Sequence, residues 1–222
     1  MIKNDKKVIA FDWDGCLCDT QYLIVRATEE SFKTPTSRCL TENEIKNIAC
    51  NSHKKVFDQI VSLMGVSVPE NAKALYFENY EKLDITDLKS FDGIKKILNE
   101  LKKDYNLVII STKPQNHLER EIKALGFTHF FDLVLGMKSM DAIIKPNPEV
   151  MNPVLEKYGK NSVVLYVGDT VSDFNFANNC SIPFLGVTWG TDVDNIRKSG
   201  CKYIDKPIQL LEIISIMNKK SN

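Results

Sequence analysis

An α/β chain, with an open parallel sheet sandwiched between helices and a helical insert after the first strand, is the fold that this 222-residue sequence supports. Three observations carry it. Short, nearly continuous apolar runs recur along the chain, too continuous for hairpins with one wet face and suited to strands buried on both faces. Amphipathic segments with helical spacing separate these runs, which implies right-handed crossovers between parallel strands. One long stretch, from about Thr20 to Ser90, holds helical stripes and no convincing strand.

The first strand is Val8-Ile9-Ala10-Phe11, followed at once by Asp12-Trp13-Asp14-Gly15. Leu107 to Ile110 form a second strand, Phe131 to Leu135 a weaker third, Val163 to Val167 a fourth closed by Gly168-Asp169, and Phe184 to Val187 a fifth. Between them, Ile94, Ile97, Leu98 and Leu101 lie at i, i+3, i+4 and i+7, a single apolar stripe. Leu118, Ile122 and Leu125 form another, with Gly126 suited to the C-terminal cap. Met151, Val154, Leu155 and Tyr158 form a third, with Gly159 after it. Within the insert, Ile45, Ile48 and Ala49, then Val56, Phe57, Ile60, Val61 and Met64, are helical stripes, and Leu75, Phe77 and Tyr80 suggest a further helix. The domains expected are a core of residues 1–19 and 90–222 and a helical cap of residues 20–89.

The 29 Lys+Arg balance the 29 Asp+Glu, so no global field favours nucleic acid or an anionic membrane surface. No apolar run approaches the ~20 residues needed to span a bilayer. The polar N-terminus does not read as a signal peptide. Six cysteines without a CxxC pair read as reduced thiols rather than zinc ligands or staples, so a cytoplasmic protein is expected.

In an open parallel sheet, function collects beyond the carboxyl ends of the strands. Those ends carry Asp12 and Asp14 after the first strand, Ser111, Thr112 and Lys113 after the second, Lys145 in the loop after the third, and Asp169 and Asp173 after the fourth. Taken singly, such an Asp reads as a turn or helix cap, Ser111 as a cap, and Lys145 as a surface lysine. Together they describe phosphoryl chemistry. Carboxylates gathered on one rim repel each other unless a cation sits among them, and hard oxygen ligands suit Mg²⁺. A metal and a lysine neutralise a phosphate dianion and the charge that develops on transfer. One carboxylate can serve as nucleophile, forming an acyl-phosphate, and a second two residues on can act as acid and then base.

Asp12-Trp13-Asp14-Gly15-Cys16-Leu17-Cys18-Asp19-Thr20 resembles the first motif of the haloacid dehalogenase superfamily, DxDGTLxD[ST]. Ser111 at the end of an apolar strand resembles the second motif, Lys145-Pro146 the third, and Gly168-Asp169-Thr170-Val171-Ser172-Asp173 the fourth. The gaps of 99, 34 and 24 residues between Asp12, Ser111, Lys145 and Asp169 keep the family's order. A helical insert between the first two motifs is similar to that of the phosphoglycolate phosphatase-like branch. A gap of only 34 residues between Ser111 and Lys145 leaves no room for the larger type of cap.

The resemblance implies a Rossmann-like core and a Mg²⁺-dependent phosphatase acting on a small phosphomonoester through an aspartyl-phosphate intermediate. A sugar-phosphate mutase of the β-phosphoglucomutase type is the alternative. It implies Asp12 as nucleophile and metal ligand. Asp14 becomes acid and base, lending the metal its main-chain carbonyl, while Ser111 and the backbone around Trp13 and Thr112 bind the phosphoryl group. Lys145 steadies Asp12 and the phosphoryl oxygens, and Asp169 completes the metal set with Asp173 near it. Retention of Asp14 favours phosphatase or mutase over dehalogenase. Cys16 stands where the family usually has Thr. In the insert, the polar break Asn51-Ser52-His53-Lys54 suggests a core-facing loop in which His53 and Lys54 touch the leaving group, against a solvated basic turn. The expected partner is a small phosphorylated metabolite, with neither nucleic acid nor membrane involved, for a monomer or homodimer.

Overall fold

The computed structural model describes residues 6–34, 37–49, 53–139 and 142–220. Among them, six parallel strands form one sheet: β1 (Val8–Phe11), β4 (Asn106–Pro114), β5 (Leu133–Met137), β6 (Val163–Gly168), β7 (Phe184–Val187) and β8 (Tyr203–Ile204), ordered β5-β4-β1-β6-β7-β8. All five neighbour pairs are parallel. The chain leaves β1 toward β4 and β5 on one side, then returns to build β6, β7 and β8 on the other. The direction of winding reverses at β1, and a crevice beyond the carboxyl ends of β1, β4 and β6 follows from that reversal.

β1 shows why both of its faces must be apolar. Ile9 and Phe11 join one buried cluster, with Leu107, Ile109, Leu118 and Ile122; Val8 and Ala10 join the opposite one, with Val108, Ile110, Val154 and Phe176. Strand alternation sends successive side chains to opposite layers, and helices cover each layer. On the first face lie α5 (Ile94–Asp104), α6 (Gln115–Ala124) and α10 (Gln209–Lys220); on the second lie α7 (Asn152–Tyr158) and α8 (Val171–Asn179). A short helix, α9 (Val193–Lys198), packs on β7.

The insert is helical as expected. α1 (Gln21–Phe32), α2 (Glu42–Ala49), α3 (His53–Met64) and α4 (Ala72–Lys82) stand between β2 (Cys18–Asp19) and β3 (Lys89–Ser90). The two short strands pair antiparallel, Cys18 opposite Ser90 and Asp19 opposite Lys89. Val25, Phe32, Ile45, Ile48, Ile60 and Met64 form the insert's own apolar cluster, so it carries a core apart from the sheet.

Several elements differ from the sequence reading. The third core strand starts at Leu133, because Phe131 and Asp132 are spent on the turn into it, with the Asp132 carboxylate accepting from Leu107 N at 2.9 Å. β2, β3 and β8 are two residues each, too short to leave a periodic signal. Gly126 and Gly159 follow α6 and α7 with φ of +67° and +95°, the left-handed half of backbone space that a terminating glycine enters freely.

Candidate active site

β1 ends in a carboxylate pair because its alternation continues for one residue and then stops. Asp12 N donates to Val167 O at 2.8 Å, so Asp12 is still registered on the sheet. Gly15, at φ +75°, turns the chain back toward Cys18. Trp13 is fully buried on the α6 side, and its Nε1 donates to Glu121 Oε2 at 2.7 Å.

Lys145 reaches the sheet end from the loop after β5 and is almost wholly buried. Its Nζ donates to Asp12 Oδ1 at 2.7 Å, to Asp173 Oδ1 at 2.6 Å and to Tyr166 Oη at 3.0 Å. All three ammonium donors are therefore spent. Tyr166 Oη in turn donates to Ile110 O at 3.1 Å, which fixes the phenol between β6 and β4.

Asp169 ends β6 with no solvent exposure. Its Oδ2 accepts from Thr191 N and Thr191 Oγ1, both at 2.9 Å, whereas its buried Oδ1 has no hydrogen-bond partner in the protein. Glycines make this approach feasible. A Cβ on Gly190 would stand 2.4 Å from Asp169 Oδ2 and 2.3 Å from Gly15 O, and one on Gly15 would stand 2.2 Å from that same Oδ2. Thr170 caps α8 in a reciprocal box with Asp173, and its hydroxyl also donates to Asp173 Oδ2 at 2.6 Å.

Asp12, Asp169 and Asp173 offer carboxylate oxygens within 4.8 Å of one another. Buried carboxylates at this spacing with one orphaned oxygen suit a hard divalent cation. Burial pushes the Asp12 carboxyl up to about 7, with Asp173 and Asp14 adding to the rise and Lys145 opposing it. Asp169 is held well above the usual carboxylate range, by burial first and then by Asp12 and Asp173. A cation among the three relieves this repulsion, so the residues present fit a hard divalent cation.

The second carboxylate has its own lysine. Lys113 Nζ lies 2.8 Å from Asp14 Oδ1, and Thr20 Oγ1 donates to that oxygen as well. Burial works against the charge on Lys113, but Asp14 and Glu121 outweigh it and hold the ammonium above its ordinary value. Ser111 is buried at the end of the β4 apolar run, its Oγ accepting from Lys113 N at 3.2 Å, while Thr112 points outward and is exposed.

The structure thus brings together Asp12, Lys145, Asp169 and Asp173, and places Asp14, Ser111 and Lys113 at the neighbouring strand ends. Burial, and then Asp12, drive the Cys16 thiol well above its ordinary value, so it is a packing group. His53 and Lys54 open α3 rather than lying in a loop; Cys50, Asn51 and Ser52 lie outside the described residues, as do the side chains of His53 and Lys54. Sequence reasoning missed Tyr166, Thr191, Glu121 and Gly190, since a strand tyrosine, a loop threonine, a helix glutamate and a loop glycine carry no signal alone. It also missed Gln21, 4% exposed, whose Oε1 and Nε2 both lack a protein partner.

Buried carboxylates and a buried lysine gathered at the strand ends of a parallel sheet can hold a cation and meet an anionic substrate group. Residues 9–187 match the family described as haloacid dehalogenase-like hydrolase, and the chain belongs to it. The chain is 24% identical over 227 residues to a phosphoglycolate phosphatase of Vibrio parahaemolyticus, covering 97% of this chain and 99% of that one. It is 26% identical over 184 residues to the pyrophosphatase PpaX of Listeria monocytogenes, covering 82% of each. Among solved structures, a haloacid dehalogenase-like family hydrolase from Streptococcus pneumoniae superposes with a TM-score of 0.74 at 26% identity, over 95% of this chain and 99% of that one. No helix of the described residues is long and apolar enough to cross a membrane.

Proposed function

We propose that this hydrolase cleaves small phosphomonoesters through an aspartyl-phosphate on Asp12. The observation that carries the reading is the bridging of Asp12 and Asp173 by Lys145 beside the orphaned Oδ1 of Asp169. One carboxylate is gripped and aimed by that lysine, and a cation position lies next to it.

Asp12 attacks phosphorus while the bond to the leaving oxygen breaks, and Asp14 gives that oxygen a proton. Ser111 and main-chain N–H groups near Trp13 and Thr112 hold the equatorial oxygens. Asp14 then takes a proton from water as it attacks the acyl-phosphate, and inorganic phosphate leaves with Asp12 regenerated. Asp12, Asp169 and the Asp14 carbonyl, with Asp173 beside them, would hold Mg²⁺, which when bound would neutralise charge on the phosphoryl oxygens. Lys145 keeps Asp12 in line throughout.

The helical insert, residues 20–89, acts as a cap that covers the crevice and reads the leaving group. Gln21 stands at its core-facing end, one residue after the threonine that touches Asp14, and its unpaired amide suits a polar leaving group. Free cysteines among the described residues suit a reducing, cytoplasmic setting. Phosphate release from a panel of phosphorylated metabolites with Mg²⁺ tests the reading. Steady release supports it, whereas an isomerised product that needs a bisphosphate activator replaces it with a mutase.

A further inference from the structure

The buried polar cluster around Lys113 has no place in the metal or phosphoryl chemistry, yet it ends on Asp14. Lys113 lies two residues beyond Ser111 on β4, so it points to the layer covered by α6. Its ammonium is almost fully buried and spends its three donors on three groups. One is Asp14 Oδ1 at 2.8 Å; the second is Glu121, at 2.7 Å and 2.8 Å from the two carboxylate oxygens; the third is Tyr80 Oη at 2.7 Å. Tyr80 Oη donates onward to Glu121 Oε1 at 2.6 Å. Glu121 Oε2 takes the indole N–H of Trp13, the residue between the two catalytic aspartates. Each polar atom of this cluster is matched, and a matched buried network holds its members in one geometry.

Two chain segments that the sequence keeps far apart meet here. Glu121 belongs to α6 of the core, while Tyr80 belongs to α4 of the insert. The seat of α4 on α6 is broad. Tyr80 stacks on His117 with centroids 5.0 Å apart, His117 Nε2 lies 2.9 Å from Glu81 Oε2, and Arg120 Nη1 donates to Glu81 O at 2.9 Å. The insert therefore contributes a phenol to the support of a core carboxylate.

We propose that Lys113 is a positioning residue that aims the Asp14 carboxylate at the leaving group, and that Tyr80 carries this support from the helical insert. Glu121 is the anchor common to both. The proposal rests on the reading of Asp14 as general acid. It gives the insert a part in leaving-group protonation besides substrate choice.

Leaving-group dependence of kcat/KM separates this role from plain structural support. That parameter covers steps up to leaving-group departure, so the later role of Asp14 as base does not enter. A 4-nitrophenyl leaving group departs without a proton, whereas an alkoxide such as that of glycerol phosphate needs one. The variants are Tyr80→Phe and the charge-balanced pair Lys113→Met with Glu121→Gln, which leaves no unpaired Glu121; Asp14→Asn is the reference. Asp14→Asn should lower kcat/KM on glycerol phosphate by about 10²–10⁴-fold and far less on 4-nitrophenyl phosphate. The charge-balanced pair should lose about 10²-fold on glycerol phosphate and less than about fivefold on the aryl ester, and Tyr80→Phe about fivefold and less than about twofold. Equal losses on both esters in folded variants, or no loss, overturn the positioning role. Equal losses in Asp14→Asn overturn instead the reading of Asp14. If the charge-balanced pair fails to fold, Tyr80→Phe alone decides.

Discussion

Lys113 and Lys145 divide between them the two carboxylates at the end of β1, Lys145 bonding to Asp12 at 2.7 Å and Lys113 pairing with Asp14 at 2.8 Å. Each lysine is also held by a tyrosine hydroxyl, that of Tyr166 or Tyr80, and by a second carboxylate, that of Asp173 or Glu121. Two residues apart in sequence, the aspartates sit in separate electrostatic settings, as the proposed division of labour between nucleophile and acid requires.

Asp12→Asn should abolish phosphate release while leaving the fold intact. Burial and Asp173 raise the folded-state pKa of Asp12 from 3.8 to about 7, so its charge costs stability in the metal-free protein. The variant should therefore melt several degrees higher than wild type at pH 8 without metal. Thermal unfolding alongside a phosphate assay checks both halves, and near-normal turnover would refute the covalent route.

The same shift sets a pH dependence. Between 3.8 and about 7 the folded state binds more protons at Asp12 than the unfolded state does, so metal-free stability should fall as pH rises through that window and level off above it. Mg²⁺ needs the carboxylate, so its affinity should climb over the same range with release of a proton. Calorimetry in buffers of differing ionisation enthalpy measures that proton, and pH-independent binding would contradict the assignment.

Gly190→Ala should weaken metal binding. The added methyl meets Gly15 O at 2.3 Å and Asp169 Oδ2 at 2.4 Å, and one of these is backbone that cannot turn aside. Displacing Asp169 from Thr191 should cost about 10–100-fold in Mg²⁺ affinity, the range seen when the support of a metal ligand is lost. Titration of the apo-protein with Mg²⁺ gives the number.

Gln21→Leu should raise KM for metabolite phosphates with polar leaving groups and spare small aryl phosphates. Burying an unpaired amide costs about 1–3 kcal/mol, so the same variant should not destabilise the free protein. Unchanged KM ratios between the two substrate types would remove Gln21 from the substrate contacts.

Five of the six strands of the core sheet and the order of the acidic motifs were legible because their signals are local; β8, two residues long, was not. Val8 to Phe11 is an unbroken apolar run, and Asp12 and Asp14 follow it directly. Lys145 was found through its neighbour Pro146 and its place in the motif order, but its partners Tyr166 and Asp173 come together only through parallel pairing and the capping of α8. Glu121 was hidden by its own helix, where Leu118 and Ile122 define a buried stripe and a glutamate beside them reads as surface. Only the arrival of Lys113 and Tyr80 from two other elements explains its burial. Tyr80 was legible as an apolar helix position, and its hydroxyl's task was not.

The paired strands β2 and β3 make the helical insert a cassette. Opposed residues of an antiparallel pair have Cα atoms about 4.5–5.5 Å apart, so the chain enters and leaves the insert through one narrow gate. The sheet that carries the reacting groups is continuous on either side of that gate. Exchanging one set of helices for another there requires no change in β1, β4 or β6, provided that the newcomer again sends a hydroxyl down to Glu121 and meets His117 and Arg120 on α6. If the insert reads the leaving group as proposed, specificity can drift in a separate module, joined to the chemistry by one two-residue ribbon and by the seat of α4 on α6.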